Sequence, residues 1–187
     1  MKHLIYSVII YSLTVFFGAS ISEADNIKTL FQKPTLSKEY IVFAYAGDLW
    51  RVDRDGGQAQ SLTSGIGIES DPYFSPNGKL VAFTGQYDGN TDVYVMNIEG
   101  GTPTRLTYHP SADIVVGWTN DSDNVLFSSG RASFANFLRL FTIPNTGGNP
   151  TQLPLPSVER GSYSPNGKYL AYEPLNQWQP DWKRYHG

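Results

Sequence analysis

The chain has no cysteine and only three histidines. Disulfide bridges and zinc–thiolate centres are therefore excluded, and imidazole chemistry has few places to sit. Charged residues make up 17%, spread without runs, and the net charge is −3. That balance gives no electrostatic footprint for nucleic acid, no polybasic membrane patch and no acidic tail. A Gly-x-Ser-x-Gly nucleophile elbow is also missing. What the chain has in plenty is aromatic residues (12 Tyr, 10 Phe, 4 Trp), with 18 Gly and 12 Pro. That mixture fits an all-β protein with many turns.

Residues 1–24 read as a targeting segment. Met1-Lys2-His3 is a short basic start, Leu4 to Ala19 is an apolar run, and Ser22 and Ala24 put small residues at the −3 and −1 positions of a cleavage site. The competing readings are a buried first strand or an uncleaved anchor, but the run is short for a span of about 20 residues. The expectation is a secretory signal peptide and a mature chain that starts near Asp25 in the periplasm or outside the cell, with no membrane contact after cleavage.

The rest of the chain repeats itself. Tyr73-Phe74-Ser75-Pro76-Asn77-Gly78-Lys79 returns as Tyr163-Ser164-Pro165-Asn166-Gly167-Lys168, each running into an apolar strand, Leu80–Phe83 or Tyr169–Tyr172. Between them lies a worn copy, Trp118-Thr119-Asn120-Asp121-Ser122-Asp123-Asn124, followed by Val125-Leu126-Phe127. Gly56-Gly57, Gly100-Gly101 and Gly147-Gly148 recur after the alternating strands Leu49–Val52, Val93–Met96 and Leu140–Ile143. A period of about 40–45 residues built from short strands, with no helical periodicity between them, is the signature of propeller blades. Gly-Gly and Asn-Gly supply the positive φ angles of the hairpin turns.

The fold expected is an all-β propeller of about three and a half four-stranded antiparallel blades in an incomplete ring. The blades span 34–72, 73–117 and 118–161, with a fourth cut off over 162–187 and Tyr40–Ala44 as an inner apolar strand. Propellers close with about four to eight blades, so the chain is expected to be the N-terminal piece of a longer polypeptide. The alternative is a small protein that closes its ring as a homo-oligomer.

The Tyr-Phe-Ser-Pro-Asn-Gly-Lys signature resembles the propeller repeats of TolB-type periplasmic proteins, prolyl-oligopeptidase relatives and tricorn proteases. Three features resemble the tricorn proteases in particular. They are Ile41-Val42-Phe43 followed by Gly47-Asp48-Leu49-Trp50, then Arg105-Leu106-Thr107-Tyr108-His109, and the tail Trp182-Lys183-Arg184-Tyr185-His186-Gly187. The resemblance implies a six-bladed first propeller that filters or channels peptides to a separate serine peptidase region, with no catalytic residue in the propeller itself. The partners implied are peptide substrates or a protein partner, together with the remainder of the chain's own polypeptide. The best-known members of the family are cytoplasmic, from which the targeting segment departs. A TolB-like reading implies instead a non-catalytic periplasmic propeller that binds another protein.

No residue stands out as catalytic, cofactor-binding or metal-ligating. His109, with Asp113 close by, has a base-and-acid look but no marked serine; hydrogen bonds that order its loop explain it better. His186 is the residue before the last one. Asp121-Ser122-Asp123-Asn124 lacks the glycine and glutamate of a calcium loop and occupies a hairpin slot. Asp48 and Asp92 read as strand-start residues bonded to nearby backbone. Trp50, Tyr94 and Phe141 share one repeat position and read as a packing layer between blades. Arg131 and Arg139 flank the irregular stretch Ala132–Phe137, the first place to look for a substrate contact because insertions gather on one face.

Overall fold

A computed structural model describes residues 30–133 and 137–174. The targeting segment, the Trp182–Gly187 tail with His186, and residues 134–136 of the insertion lie outside the described residues. Within them every regular element is a strand, and the strands form four separate antiparallel sheets.

Sheet one contains β1 (Gln32–Leu36), β2 (Tyr40–Tyr45), β3 (Asp48–Asp53) and β4 (Gln60–Ser61) in that order. Sheet two contains β5 (Ile68–Phe74), β6 (Leu80–Tyr87), β7 (Asn90–Asn97) and β8 (Thr104–Arg105). Sheet three contains β9 (Asp113–Trp118), β10 (Asn124–Ser129), β11 (Arg139–Pro144) and β12 (Thr151–Gln152). Sheet four has two strands, β13 (Arg160–Tyr163) and β14 (Leu170–Glu173). Each sheet is a simple meander, as short hairpin connections demand. The first strands β1, β5, β9 and β13 approach one another in succession, whereas β4, β8 and β12 lie at the far edges. The sheets thus radiate from an axis lined by their first strands, as blades of an open propeller.

Two details differ from the sequence reading. The strand nearest the axis is β1, not Tyr40–Ala44, which is β2, the second strand of its sheet. Sheets two, three and four also begin some residues ahead of the blade starts read from the repeat, because β5, β9 and β13 run up to the aromatic residue that opens each repeat signature. The signature marks the first turn of a sheet, so it follows a strand that has no motif of its own.

Alternation places the core. In β2 and β3, Val42, Ala44 and Leu49 pack towards sheet two and join Val81, Phe83, Tyr94 and Met96 in one cluster. In sheet two the opposite face supplies Ala82, Val93 and Val95 to a second cluster with Phe127, Phe141 and Ile143 of sheet three. Leu126 and Leu140, on the far face of sheet three, meet Tyr163 and Leu170 of sheet four. Sheets two and three therefore each have two apolar faces, which is why β6 and β10 read as continuous apolar runs rather than half-polar strands.

The signature turns hold the sheets in step. Ser75 Oγ donates to Asn77 Oδ1 at 2.8 Å, and the Lys79 N–H donates to the same oxygen at 3.0 Å. Ser164, Asn166 and Lys168 repeat this at 2.8 and 3.0 Å. In the worn copy Thr119 Oγ1 donates to Asp121 Oδ1 at 2.5 Å and the Asp123 N–H follows at 2.9 Å. Asp121 is thus the turn residue equivalent to Asn77, as the hairpin reading expects. Ser122 fills the glycine slot with φ 67°, against 73° at Gly78 and 69° at Gly167. It is retained in that costly conformation by use: its Oγ accepts the Asn77 N–H at 3.1 Å from the neighbouring sheet. Asn120 Nδ2 in turn reaches Ser164 O at 2.7 Å and Pro165 O at 2.6 Å.

The Thr119 hydroxyl, helped by the Asp123 N–H, holds the Asp121 carboxyl below its ordinary range. A carboxyl depressed in the folded state adds stability above its unfolded pKa of about 3.9, and that part is lost as pH falls through the folded value. The expected outcome is that Asp121→Asn lowers the denaturation midpoint at neutral pH but narrows its gap to the parent chain below about pH 4. Parallel denaturant melts across that range check it.

Candidate functional site

The axial wall is built by an irregularity that three first strands share. In β9 Val115 and Val116 together face Phe127. In β1 the register passes from Gln32↔Ala44 to Thr35↔Val42, so Lys33 and Pro34 together face one partner position. In β5 it passes from Ser70↔Thr84 to Tyr73↔Ala82, so Asp71 and Pro72 do the same. Proline has no N–H to lose, which makes it the residue a bulge tolerates. Lys33 and Asp71 sit at φ 49° and 51°, a left-handed conformation that re-aims their side chains. The Lys33 ammonium pairs with the Asp71 carboxylate, and Ser70 Oγ donates to Asp71 Oδ2 at 2.7 Å.

Lys33, Asp71, Val115 and Arg160 each stand three residues before the end of their first strand. They form one level of the wall, carrying plus, minus, neutral and plus in chain order. A cavity of about 310 Å³ opens at this level. Its lining includes Tyr73 and Glu159, and one Glu159 carboxylate oxygen is buried without a hydrogen-bond partner. Tyr73 and Arg160 also line an adjoining cavity of about 740 Å³, with Trp118, Tyr163 and Tyr172. Burial, and then the Asp71 charge, push the Tyr73 phenol up, while the Arg160 charge opposes them. The phenol thus stays neutral and can hydrogen-bond in either sense. Such a wall can hold a polar, extended chain by charge and hydrogen bonding. It offers no nucleophile–base pair.

A second set of polar groups is buried between the sheets and serves structure. Thr63 Oγ1 accepts the Leu49 N–H at 2.8 Å and donates to Glu69 at 2.6 Å, and Tyr87 also donates to Glu69. Thr107 repeats the arrangement, accepting the Val93 N–H at 3.0 Å and donating to Asp92 at 3.2 Å. Asp92 is fully buried and takes further bonds from Arg105 at 2.5 Å and Asn90 at 2.9 Å. The strand-start reading of Asp92, with backbone partners, is therefore corrected: its partners are side chains, because Arg105 and Thr107 reach it across the β7–β8 edge. Asp48 opens β3 opposite Tyr45.

The remaining candidates are equally accounted for. His109 Nδ1 accepts the Ser111 N–H at 3.0 Å and its carbonyl accepts from Asn90 at 2.9 Å, so it orders the loop between sheets two and three. Asp113 is fully buried with Oδ2 paired to Arg131, while its Oδ1 has no hydrogen-bond partner. Arg131 lies over the Phe127 and Phe141 rings at 5.2 and 5.4 Å. Arg139 Nη1 donates to Leu155 O at 3.3 Å. Both arginines that flank the insertion are spent on packing, not held out to a substrate. Tyr94 and Phe141 are buried between sheets as expected, whereas Trp50 faces away from sheet two. The axial level itself had no sequence motif; the only trace is the recurrence of a charged residue before proline in Lys33-Pro34 and Asp71-Pro72.

Removing the Asp92 carboxylate strands Arg105 and Thr107. Asp92→Ala is expected to cost about 1.5–3 kcal/mol, the range for hydrogen bonds to a buried charge. A denaturant melt that shifts by less than about 0.5 kcal/mol, the range of an ordinary surface substitution, contradicts the assignment.

Residues 28–187 match the tricorn protease N-terminal β-propeller domain family. A tricorn protease homolog 1 from Streptomyces coelicolor is 33% identical over 151 residues, covering 80% of this chain and 14% of that protein. A putative tricorn-like protease N-terminal subunit from Sulfurisphaera tokodaii is 23% identical, covering 86% of this chain and 83% of that protein. The crystal structure of the tricorn protease superposes with a TM-score of 0.65 at 24% identity, over 74% of this chain and 14% of that one. A putative TolB from Agrobacterium tumefaciens gives the same TM-score of 0.65 at 23% identity, over 77% of this chain and 53% of that one, a likeness of fold alone. The chain thus spans a small part of the full-length Streptomyces relative and most of the Sulfurisphaera subunit. On the match over residues 28–187, the chain belongs to the tricorn protease N-terminal β-propeller family.

Proposed function

We propose that this propeller segment serves a tricorn-like serine peptidase, and that its axial wall filters or channels peptides towards a catalytic region supplied by other polypeptide. The observation that carries the reading is the single level of Lys33, Asp71 and Arg160 on the strands that line the axis. Extended peptides present charged ends and backbone amides, which such a wall can sort by charge and hydrogen bonding. The family match supports the peptidase context, and the chain's small share of the Streptomyces homolog supports a separate catalytic region.

The test is Arg160→Glu in the full-length protein, with hydrolysis of long peptides of differing charge compared against short fluorogenic reporters. The expected result is a several-fold change in kcat/KM that depends on peptide charge, with the short reporters little affected. An unchanged charge preference contradicts the channel. Absence of any peptidase activity in the full-length protein would favour a TolB-like binding propeller instead.

Export remains part of the proposal, resting on the Leu4–Ala19 run and the Ser22-Glu23-Ala24 site. The mature protein is expected to begin near Asp25; N-terminal sequencing that returns Met1 contradicts it.

A further inference from the structure

Four charged residues line the axial cavity of about 310 Å³: Lys33, Asp71, Glu159 and Arg160. The first two are spent on each other. Glu159 and Arg160 are neighbours in the chain, and no ion pair joins them. The Glu159 N–H donates to Glu173 O at 3.1 Å, which fixes its backbone, yet one of its carboxylate oxygens is buried without a partner. The Arg160 guanidinium pairs with no carboxylate among the described residues. Its charge does reach the Tyr73 phenol, where it opposes the effects of burial and of Asp71.

The cavity is therefore left with one negative and one positive group, each without a partner. A buried carboxylate oxygen is met best by a charged donor, because a neutral one leaves its charge uncompensated. A simple cation would satisfy Glu159 and ignore Arg160, and a simple anion would do the reverse. A zwitterion satisfies both. The rest of the lining adds the Tyr73 hydroxyl and an apolar wall that includes Ile114, Val116 and Leu138. The volume lies at the lower end of the range for ligand pockets, about 300–1,000 Å³, which suits one or two amino-acid residues and no folded partner.

We propose that this cavity is a binding site for a very short peptide with both termini free and an apolar side chain. The terminal ammonium is held by Glu159 and the terminal carboxylate by Arg160, while the Tyr73 hydroxyl bonds the amide between them. A longer chain cannot place both ends in so small a space, so the site retains dipeptides and lets longer chains go by. The inference rests on the reading of the axial wall as a surface that meets peptides, and it adds recognition of free ends to sorting by charge.

The test is titration calorimetry of the full-length protein with three probes: the dipeptide Leu-Ala, its N-acetyl form and its C-terminal amide. A serine-directed inhibitor is present throughout, so that hydrolysis does not enter the heat. Leu-Ala is expected to bind, and each cap to weaken it by at least about tenfold, as loss of a charge-assisted bond requires. Glu159→Gln is expected to erase the preference against the acetyl cap, and Arg160→Gln the preference against the amide, with circular dichroism unchanged. Absence of saturable Leu-Ala binding overturns the proposal. So does a capped probe that binds as tightly as Leu-Ala, a result that needs no variant to fold. A charge preference on long peptides that shifts in Arg160→Glu, without Leu-Ala binding, would keep the channel and remove this site. Leu-Ala binding without that shift would keep the site and remove the channel.

Discussion

The structure depends on one contact, repeated: an aromatic pair on the central strands of one sheet pressed against the aliphatic back of the sheet before it. Burying a side chain such as Phe127 is worth about 1.5–3 kcal/mol, and each pair adds ring stacking to that. The sheets have no hydrogen-bonded strand in common, so this packing is what joins them. Everything nearer the axis or the rim is positioned by it, including the level at which Lys33, Asp71 and Arg160 meet.

Polar contacts then fix register rather than supply the bulk of the stability. The signature turns bond sideways through Ser122 and Asn120, so one turn cannot slide past the next. Thr63 and Thr107 each tie a strand N–H to a buried carboxylate between sheets. In the first case the acid is Glu69, from the next sheet; in the second it is Asp92, from the same sheet. Asp113 stands at the place of Glu69 in sheet three and turns to Arg131 instead. The same physical requirement, a buried acid with charged or hydroxyl donors, is met by different residues, which hides it from a repeat search.

This explains what could be read beforehand. The propeller was legible because turn chemistry and apolar alternation are local: Asn77-Gly78, Gly100-Gly101 and Leu80–Phe83 announce themselves. The worn turn at Asp121 was legible by its place in the period. The axial wall was not. Its strands carry no motif, and the bulges at Lys33-Pro34 and Asp71-Pro72 exist only once the register with β2 and β6 is known. Arg131 illustrates the converse: an arginine at an insertion looks like a substrate contact until Asp113 and two phenylalanine rings are found around it.

The most direct measurement is a double-mutant cycle between Phe127 and Val93, which share one core cluster across the interface of sheets two and three. Phe127→Leu and Val93→Ala would be made singly and together, and unfolding free energies compared. Packing of one sheet on the next predicts a coupling of about 0.5–3 kcal/mol between them. Additivity to within about 0.3 kcal/mol would contradict it, and with it the account of how the blades are joined.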